Sequence, residues 1–162
     1  MHDEVDEIVA AWRRERPDLD VEPLQVLSRI SRLAAVLDVR RADAFVGHGL
    51  QAHEFDVLSV LRRSGEPFER TAGELATLTH VTSGTMTSRL DRLVARGFVT
   101  RRPDPGDGRI VRVRLSDVGR EHVDAAFAAL LRSEQQLLAT LDATQSTELA
   151  ASLRSLLRAA KL

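Results

Sequence analysis

Residues 71–116 read TAGELATLTHVTSGTMTSRLDRLVARGFVTRRPDPGDGRIVRVRLS, and this stretch decides the fold. Thr71 and Glu74 have the spacing of a capping box, in which each residue's side chain bonds the backbone amide of the other, so a short helix begins there. A second helix is predicted over residues 82–96, closed by Gly97. Two short helices joined by a turn of about three residues are typical of a helix-turn-helix.

The hydrophobic pattern changes after this second helix. Residues 98–102 and 109–115 are predicted as strands, the second with a clear alternation of apolar and polar residues. Between them, residues 103–108 read PDPGDG, a combination that favours a tight turn. A β-hairpin that directly follows a helix-turn-helix is a wing, so residues 51–115 are predicted to form a winged helix-turn-helix.

Helices are predicted on both sides of this region, because apolar residues recur there at helical spacing. The helices before it are predicted over residues 3–16 and 23–46, and a third helix, over residues 51–63, opens the region itself. Ser116 caps a long helix after the wing, and Thr144 or Ser146 starts a last one. The predicted fold class is mostly α with a small β-hairpin wing, a winged helix-turn-helix flanked by long terminal helices in a single domain, residues 1–162.

The composition excludes several classes of protein. The chain has no cysteine, so disulfides, thiolate metal sites and sensing by thiol oxidation are ruled out. A Gly-rich phosphate loop, a nucleophile elbow and a supported carboxylate pair are all missing, so we expect neither an enzyme nor a cofactor. No apolar run reaches the length of a membrane span and the first residues are acidic, so we expect no membrane partner and a cytoplasmic location.

The formal net charge of −1 is unevenly distributed. Segment 1–23 holds eight acidic residues against three arginines, whereas segment 89–114 holds eight arginines against three aspartates. The predicted second helix and wing therefore carry a local basic face on a nearly neutral chain. Such a face is typical of nucleic-acid binding.

Taken together, the motifs resemble those of the MarR family of bacterial regulators. The resemblance covers residues 24–160 and rests on the two short helices, on Asp107-Gly108-Arg109, and on Leu115-Ser116 where the family usually has Leu-Thr. It implies a homodimer on a palindromic operator in double-stranded DNA, in which residues 1–46 and 116–162 interlock across a two-fold axis.

One face of the second helix is predicted to meet DNA. Met86, Leu90, Leu93 and Val94 form its inward stripe, and Thr82 or Ser83 caps it. The opposite face and the wing supply the predicted DNA-binding residues, which are Thr82, Ser83, Thr85, Thr87, Ser88, Arg92, Asp107 and Arg109. The resemblance implies that Arg109 enters the minor groove, where A·T-rich sequence concentrates negative potential, and that Asp107 orients it.

The same resemblance implies an effector site. An extra first helix with a tryptophan is similar to the urate-responsive branch of the family, and Trp12, Asp56, Arg89 and Arg101 stand where its four ligand residues are expected. An aromatic wall with two guanidinium groups suits a planar anion such as urate. Asp56 is expected to pair with Arg101 when the site is empty, and an anion that competes for this pair would release DNA.

Two alternatives remain open at this point. His48 and His53 with Glu54 could form a zinc-sensing cluster in a regulator of the same type. The chain could also be a winged-helix protein-interaction module without a ligand, which would show no salt-dependent affinity for DNA.

Overall fold

The computed structural model describes residues 2–160, which divide between Asp43 and Ala44 into two compact units. The predicted fold class is confirmed, since the described elements are mostly helices with one small antiparallel sheet. In chain order the elements are α1 (Glu4–Glu15), α2 (Pro23–Val46), α3 (Ala52–Arg63), β1 (Glu69–Thr71), α4 (Ala72–Leu78), α5 (Ser83–Ala95), β2 (Val99–Pro103), β3 (Val111–Leu115), α6 (Asp117–Leu138) and α7 (Ala143–Ala159). Among the described residues, no helix is long and apolar enough to cross a membrane.

The first unit holds α1 against α2 with ion pairs. Asp3 caps α1 and also accepts hydrogen bonds from Arg29 of α2 at 2.8 and 2.9 Å. Arg29 also donates to Asp6 at 2.8 Å. The hydrogen bond from Arg29 lowers the pKa of the Asp3 carboxyl. Because these side chains remain partly open to water, each pair contributes little to stability.

The core of the second unit lies between the helices and the sheet. Apolar side chains from α3, α4, α5, β3 and α6 are buried together, and the most enclosed of them are Leu58, Leu61, Leu75, Met86, Leu90, Leu93 and Val113. The sheet has the order β1-β3-β2 with antiparallel pairing throughout. Strand β1 was not predicted, because three residues are too few to display an alternating pattern.

Two details of the predicted helices need correction. Val94 does not belong to the inward stripe of α5, since 40% of it is exposed, whereas Met86, Leu90 and Leu93 are buried. Val94 directly follows Leu93 and so lies at the edge of the helix face that meets the core. The last helix is capped by Asp142, whose carboxylate accepts the Gln145 amide, and not by a hydroxyl residue within the helix.

Thr82, rather than Ser83, is the cap of α5. Its hydroxyl accepts the amide of Thr85, while its own backbone stays extended as a cap requires. The predicted caps Thr71 and Ser116 both hold, with Thr71 in a full capping box and Ser116 bonded to the amide of Gly119. The boundaries of the helix-turn-helix are therefore set by local side-chain to backbone bonds.

A buried carboxylate joins α3 to the end of α5. Glu54 is 4% exposed and accepts a hydrogen bond from Arg96 at 2.6 Å. Burial acts to raise the pKa of Glu54, but the amide of Gln51 and the Arg96 guanidinium outweigh it and lower the pKa overall. Arg96 also lies over the ring of Phe98, with 4.4 Å between the guanidinium carbon and the ring centroid.

Arg96→Met is expected to lower the free energy of unfolding by about 1–2 kcal/mol, because Glu54 would keep a buried charge without its cation. The expected loss is at the low end of the range for buried ion pairs, since Arg96 is partly exposed. Denaturant unfolding at neutral pH measures the change. Arg14→Met is the matched control, because Arg14 pairs with Glu15 on the surface, where both side chains are exposed. Equal stability of Arg96→Met and Arg14→Met would contradict the assigned role of Arg96.

Candidate nucleic-acid interface

Helix α5 presents a polar outer face. The predicted contact residues on this helix and its cap are all exposed, namely Thr82, Ser83, Thr85, Thr87, Ser88 and Arg92. Thr87 and Ser88 donate their hydroxyl hydrogens to the carbonyls of Ser83 and Gly84 one turn back. Their oxygen lone pairs remain available as acceptors, and the small side chains allow close approach of a flat or grooved partner.

The wing, formed by β2, β3 and the loop between them, carries Arg109 near its tip. The side chain of Arg109 is 91% exposed. Its Nε and one of its terminal nitrogens donate hydrogen bonds to the carboxylate of Asp107, at 3.1 and 3.0 Å. This bidentate geometry is the strong form of the arginine–carboxylate pair. The hydrogen bond from the Arg109 guanidinium lowers the pKa of the Asp107 carboxyl. The structure therefore brings the predicted orienting aspartate and its arginine together.

The base of the wing contains a second set of ion pairs that the sequence did not reveal. Glu69 of β1 accepts two hydrogen bonds from Arg102, both at 3.1 Å, and one from Arg112 at 3.3 Å. Arg112 also bonds Asp104, at the start of the wing loop. These ion pairs could not be predicted from the sequence, because Glu69 lies 43 residues before Arg112 in the chain.

Of the predicted effector residues, Trp12 lies on α1 in the first unit, where it is half-exposed, and Asp56, Arg89 and Arg101 lie in the second. Arg101 has other partners than the one expected from the sequence. It donates to Asp91 of α5 at 2.6 Å and to the carbonyl of Thr87 at 3.0 Å, instead of pairing with Asp56. The reason is geometric, because β2 runs directly beside α5 and brings Arg101 to the nearest carboxylate of that helix.

The surroundings of Asp56 differ from those of the two arginines. Asp56 lines a shallow cleft of about 230 Å³ together with Arg63, Thr79 and His80. Arg89 is half-buried on α5, and the Nε of Arg101 is a buried donor without an acceptor. Arg101 therefore keeps one unsatisfied hydrogen-bonding group.

One residue of the zinc alternative is engaged elsewhere, since Glu54 binds Arg96. Within residues 2–160, no group of three or more histidine, aspartate or glutamate side chains is placed to share a metal ion.

Helices α4 and α5 with the wing define a winged helix-turn-helix, the class of protein in which the second helix and the hairpin form a nucleic-acid-binding surface. A model of the MarR family matches residues 48–110. The HTH-type transcriptional regulator PecS of Dickeya dadantii is 37% identical over 148 residues, which cover 91% of this chain and 89% of PecS. The chain belongs to the MarR family of transcription regulators, and the predicted regulator class is confirmed.

Solved structures agree with this assignment. Sco5413, a MarR family transcriptional regulator from Streptomyces coelicolor, is similar with a TM-score of 0.70 and 27% identity, covering 88% of this chain and 97% of that one. A mutant of MarR from E. coli complexed with operator DNA is similar with a TM-score of 0.69 and 27% identity, covering 86% and 99% of the two chains.

Proposed function

We propose that this regulator represses transcription by binding a palindromic operator as a homodimer, with α5 in the major groove and Arg109 in the minor groove, and that a small planar anion releases it. The observation that carries the proposal is Arg109 itself. Its guanidinium is almost fully exposed yet held in a bidentate pair with Asp107. A cation ordered in this way suits a narrow groove of negative potential.

Support for the homodimer comes from the C-terminal helices. Helix α7 has no buried residue within the single chain, and Leu149, Leu156 and Leu157 are exposed along it. Phe127, Leu131 and Leu138 of α6 are exposed as well. An apolar surface of this kind on a protein in water is typical of an interface, and a second copy would cover it and place two wings on adjacent half-sites.

Support for an anionic effector comes from Arg101. Its buried Nε lacks an acceptor, and its terminal nitrogens donate to Asp91 and to the carbonyl of Thr87, both on α5. An anion that bound Arg101 would compete with these contacts and change how the wing is attached to α5. A shift of the two DNA-reading elements relative to each other is a direct route from an effector to lower DNA affinity.

Binding to the protein's own upstream intergenic DNA tests the function. We expect salt-dependent, sequence-preferring binding in which the logarithm of the affinity falls linearly with that of the salt concentration. Addition of urate, xanthine or small aromatic acids should release the DNA. Equal, weak affinity for the upstream DNA and a random duplex would contradict operator binding, while binding without release by these compounds would contradict the planar-anion effector.

Trp12→Ala is expected to raise the effector concentration needed to release DNA by about tenfold or more, because the aromatic wall of the proposed site is lost. DNA affinity without effector should stay within about twofold of the parent. Leu19→Ala is the control, since Leu19 lies in the same unit and has the same exposure as Trp12. Titration of the effector at a fixed DNA occupancy measures the response of both variants. An unchanged response of Trp12→Ala would show that Trp12 does not belong to the effector site.

A further inference from the structure

A continuous chain of ionic and hydrogen bonds runs from the base of the wing to Arg109. Glu69 binds Arg112, Arg112 binds Asp104, and Asp104 accepts the amides of Gly106 at 2.7 Å and Asp107 at 3.3 Å. Asp107 then holds Arg109. We call these residues, together with Arg102, the wing network.

The carboxylates of this network become more exposed toward Arg109, while Arg112, between Glu69 and Asp104, is 38% exposed. The side chain of Glu69 is 5% exposed, that of Asp104 is 12%, that of Asp107 is 36% and that of Arg109 is 91%. The enclosed end can therefore act as an anchor for the open end. A hairpin loop without such an anchor is usually mobile, and ordering it on binding costs affinity.

The register of the sheet explains how Glu69 reaches both arginines. Glu69 pairs with Arg114 and Thr71 pairs with Arg112, so these four side chains share one face of the sheet. Arg102 pairs with Arg112 across β2 and β3 and lies on that face too. The carboxylate of Glu69 thus bridges two cations from different strands, which would otherwise repel each other.

We propose that Glu69 is a positioning residue for the wing arginine: by holding Arg102 and Arg112, it keeps Arg112 on Asp104 and so fixes the loop that presents Arg109 to DNA. The inference rests on the proposed function, because it concerns the DNA-binding role of Arg109. It adds a residue outside the helix-turn-helix and the hairpin to those that determine operator affinity.

The negative charge of Glu69 makes the inference testable, because a charge effect and a positioning role predict opposite changes in DNA affinity. Glu69→Gln removes a negative charge close to the proposed DNA surface, so an effect of charge alone would strengthen binding. A positioning role predicts the opposite, about three- to tenfold weaker binding to the upstream DNA, because Arg109 would have to be ordered during association. Binding to a random duplex, which does not depend on one ordered arginine, should not weaken.

A double-mutant cycle provides the decisive measurement. Wild type, Glu69→Gln, Arg109→Ala and the double variant are titrated with labelled upstream DNA at fixed salt, and thermal unfolding of each confirms that it is folded. We expect Glu69→Gln to weaken binding only when Arg109 is present. Glu66→Gln is the matched control, because it removes the same charge from an exposed residue outside the wing network.

The possible outcomes separate the two proposals. Wild-type protein without salt-dependent DNA binding would overturn the proposed function itself. If wild type binds and Arg109→Ala weakens it, then unchanged or tighter binding by Glu69→Gln, or an equal loss in both backgrounds, overturns only the role of Glu69. Should Glu69→Gln fail to fold, Asp104→Asn breaks the network one step nearer the tip and is judged by the same cycle.

Discussion

Arg109→Ala is expected to weaken binding to the operator by about tenfold to a hundredfold, the largest loss we expect from any single DNA-facing residue. The side chain is held by Asp107 and stands free of the protein surface, so DNA is the partner it is placed to meet. A well-placed base or groove contact contributes about 1–3 kcal/mol, which corresponds to this range. Fluorescence anisotropy with the upstream DNA over a series of salt concentrations measures it.

The salt dependence gives a second readout for this variant. If Arg109 displaces counterions from DNA, the slope of log affinity against log salt should become less steep by about one for each wing. Arg14→Ala is a suitable control, because Arg14 also forms a surface pair with a nearby acid, Glu15, but lies outside the basic segment. Arg109→Ala with the affinity and slope of Arg14→Ala would show that the wing does not contact DNA.

Gly119→Ala is expected to have the largest effect on stability, a loss of about 2–3 kcal/mol in the free energy of unfolding. A methyl group at Gly119 would overlap the carbonyl oxygen of Phe98, and it would lie 2.9 Å from the carbonyl carbon of Phe98 and 3.0 Å from Leu115 Cδ1. The backbone cannot easily move aside, because the Phe98 carbonyl also accepts the amide of Ser116 at 3.0 Å.

Gly73→Ala is the matched comparison for this substitution. Gly73 also lies in the first turn of a helix, but a methyl group there meets nothing within 4 Å. Alanine favours the helix over glycine by up to about 1 kcal/mol, so Gly73→Ala should be neutral or slightly stabilising. Thermal or denaturant unfolding of the two variants should therefore move in opposite directions, and equal stabilities would show that α6 shifts to accept the added methyl.

Much of the fold could be predicted because its signals are local. The ends of α2 at Pro23 and Val46 match the prediction, since a proline at the start and glycines after the end limit a helix wherever it lies. Thr71 and Ser116 cap helices through residues three positions away. The turn chemistry between β2 and β3 likewise needs only its own residues.

In the candidate site, too, contacts between residues close in sequence could be predicted and contacts between distant segments could not. Asp107 and Arg109 are two residues apart, so their pairing could be expected from the sequence and the resemblance. The partner of Arg101 could not, because Asp91 becomes its neighbour only when β2 folds back beside α5. The proposed effector residues come from segments whose meeting depends on tertiary and quaternary packing, and their common role remains a prediction.

The sequence by itself determined the order of helices, the helix-turn-helix, the wing and the polar face of α5, since caps, periodicity and turn residues act over a few positions. Only the tertiary structure decided that Val94 is exposed, that β1 joins the sheet and that Glu69 lies behind the wing. Packing between segments distant in the chain decides such features, because a carboxylate ends beside whichever cations the folded backbone brings to it.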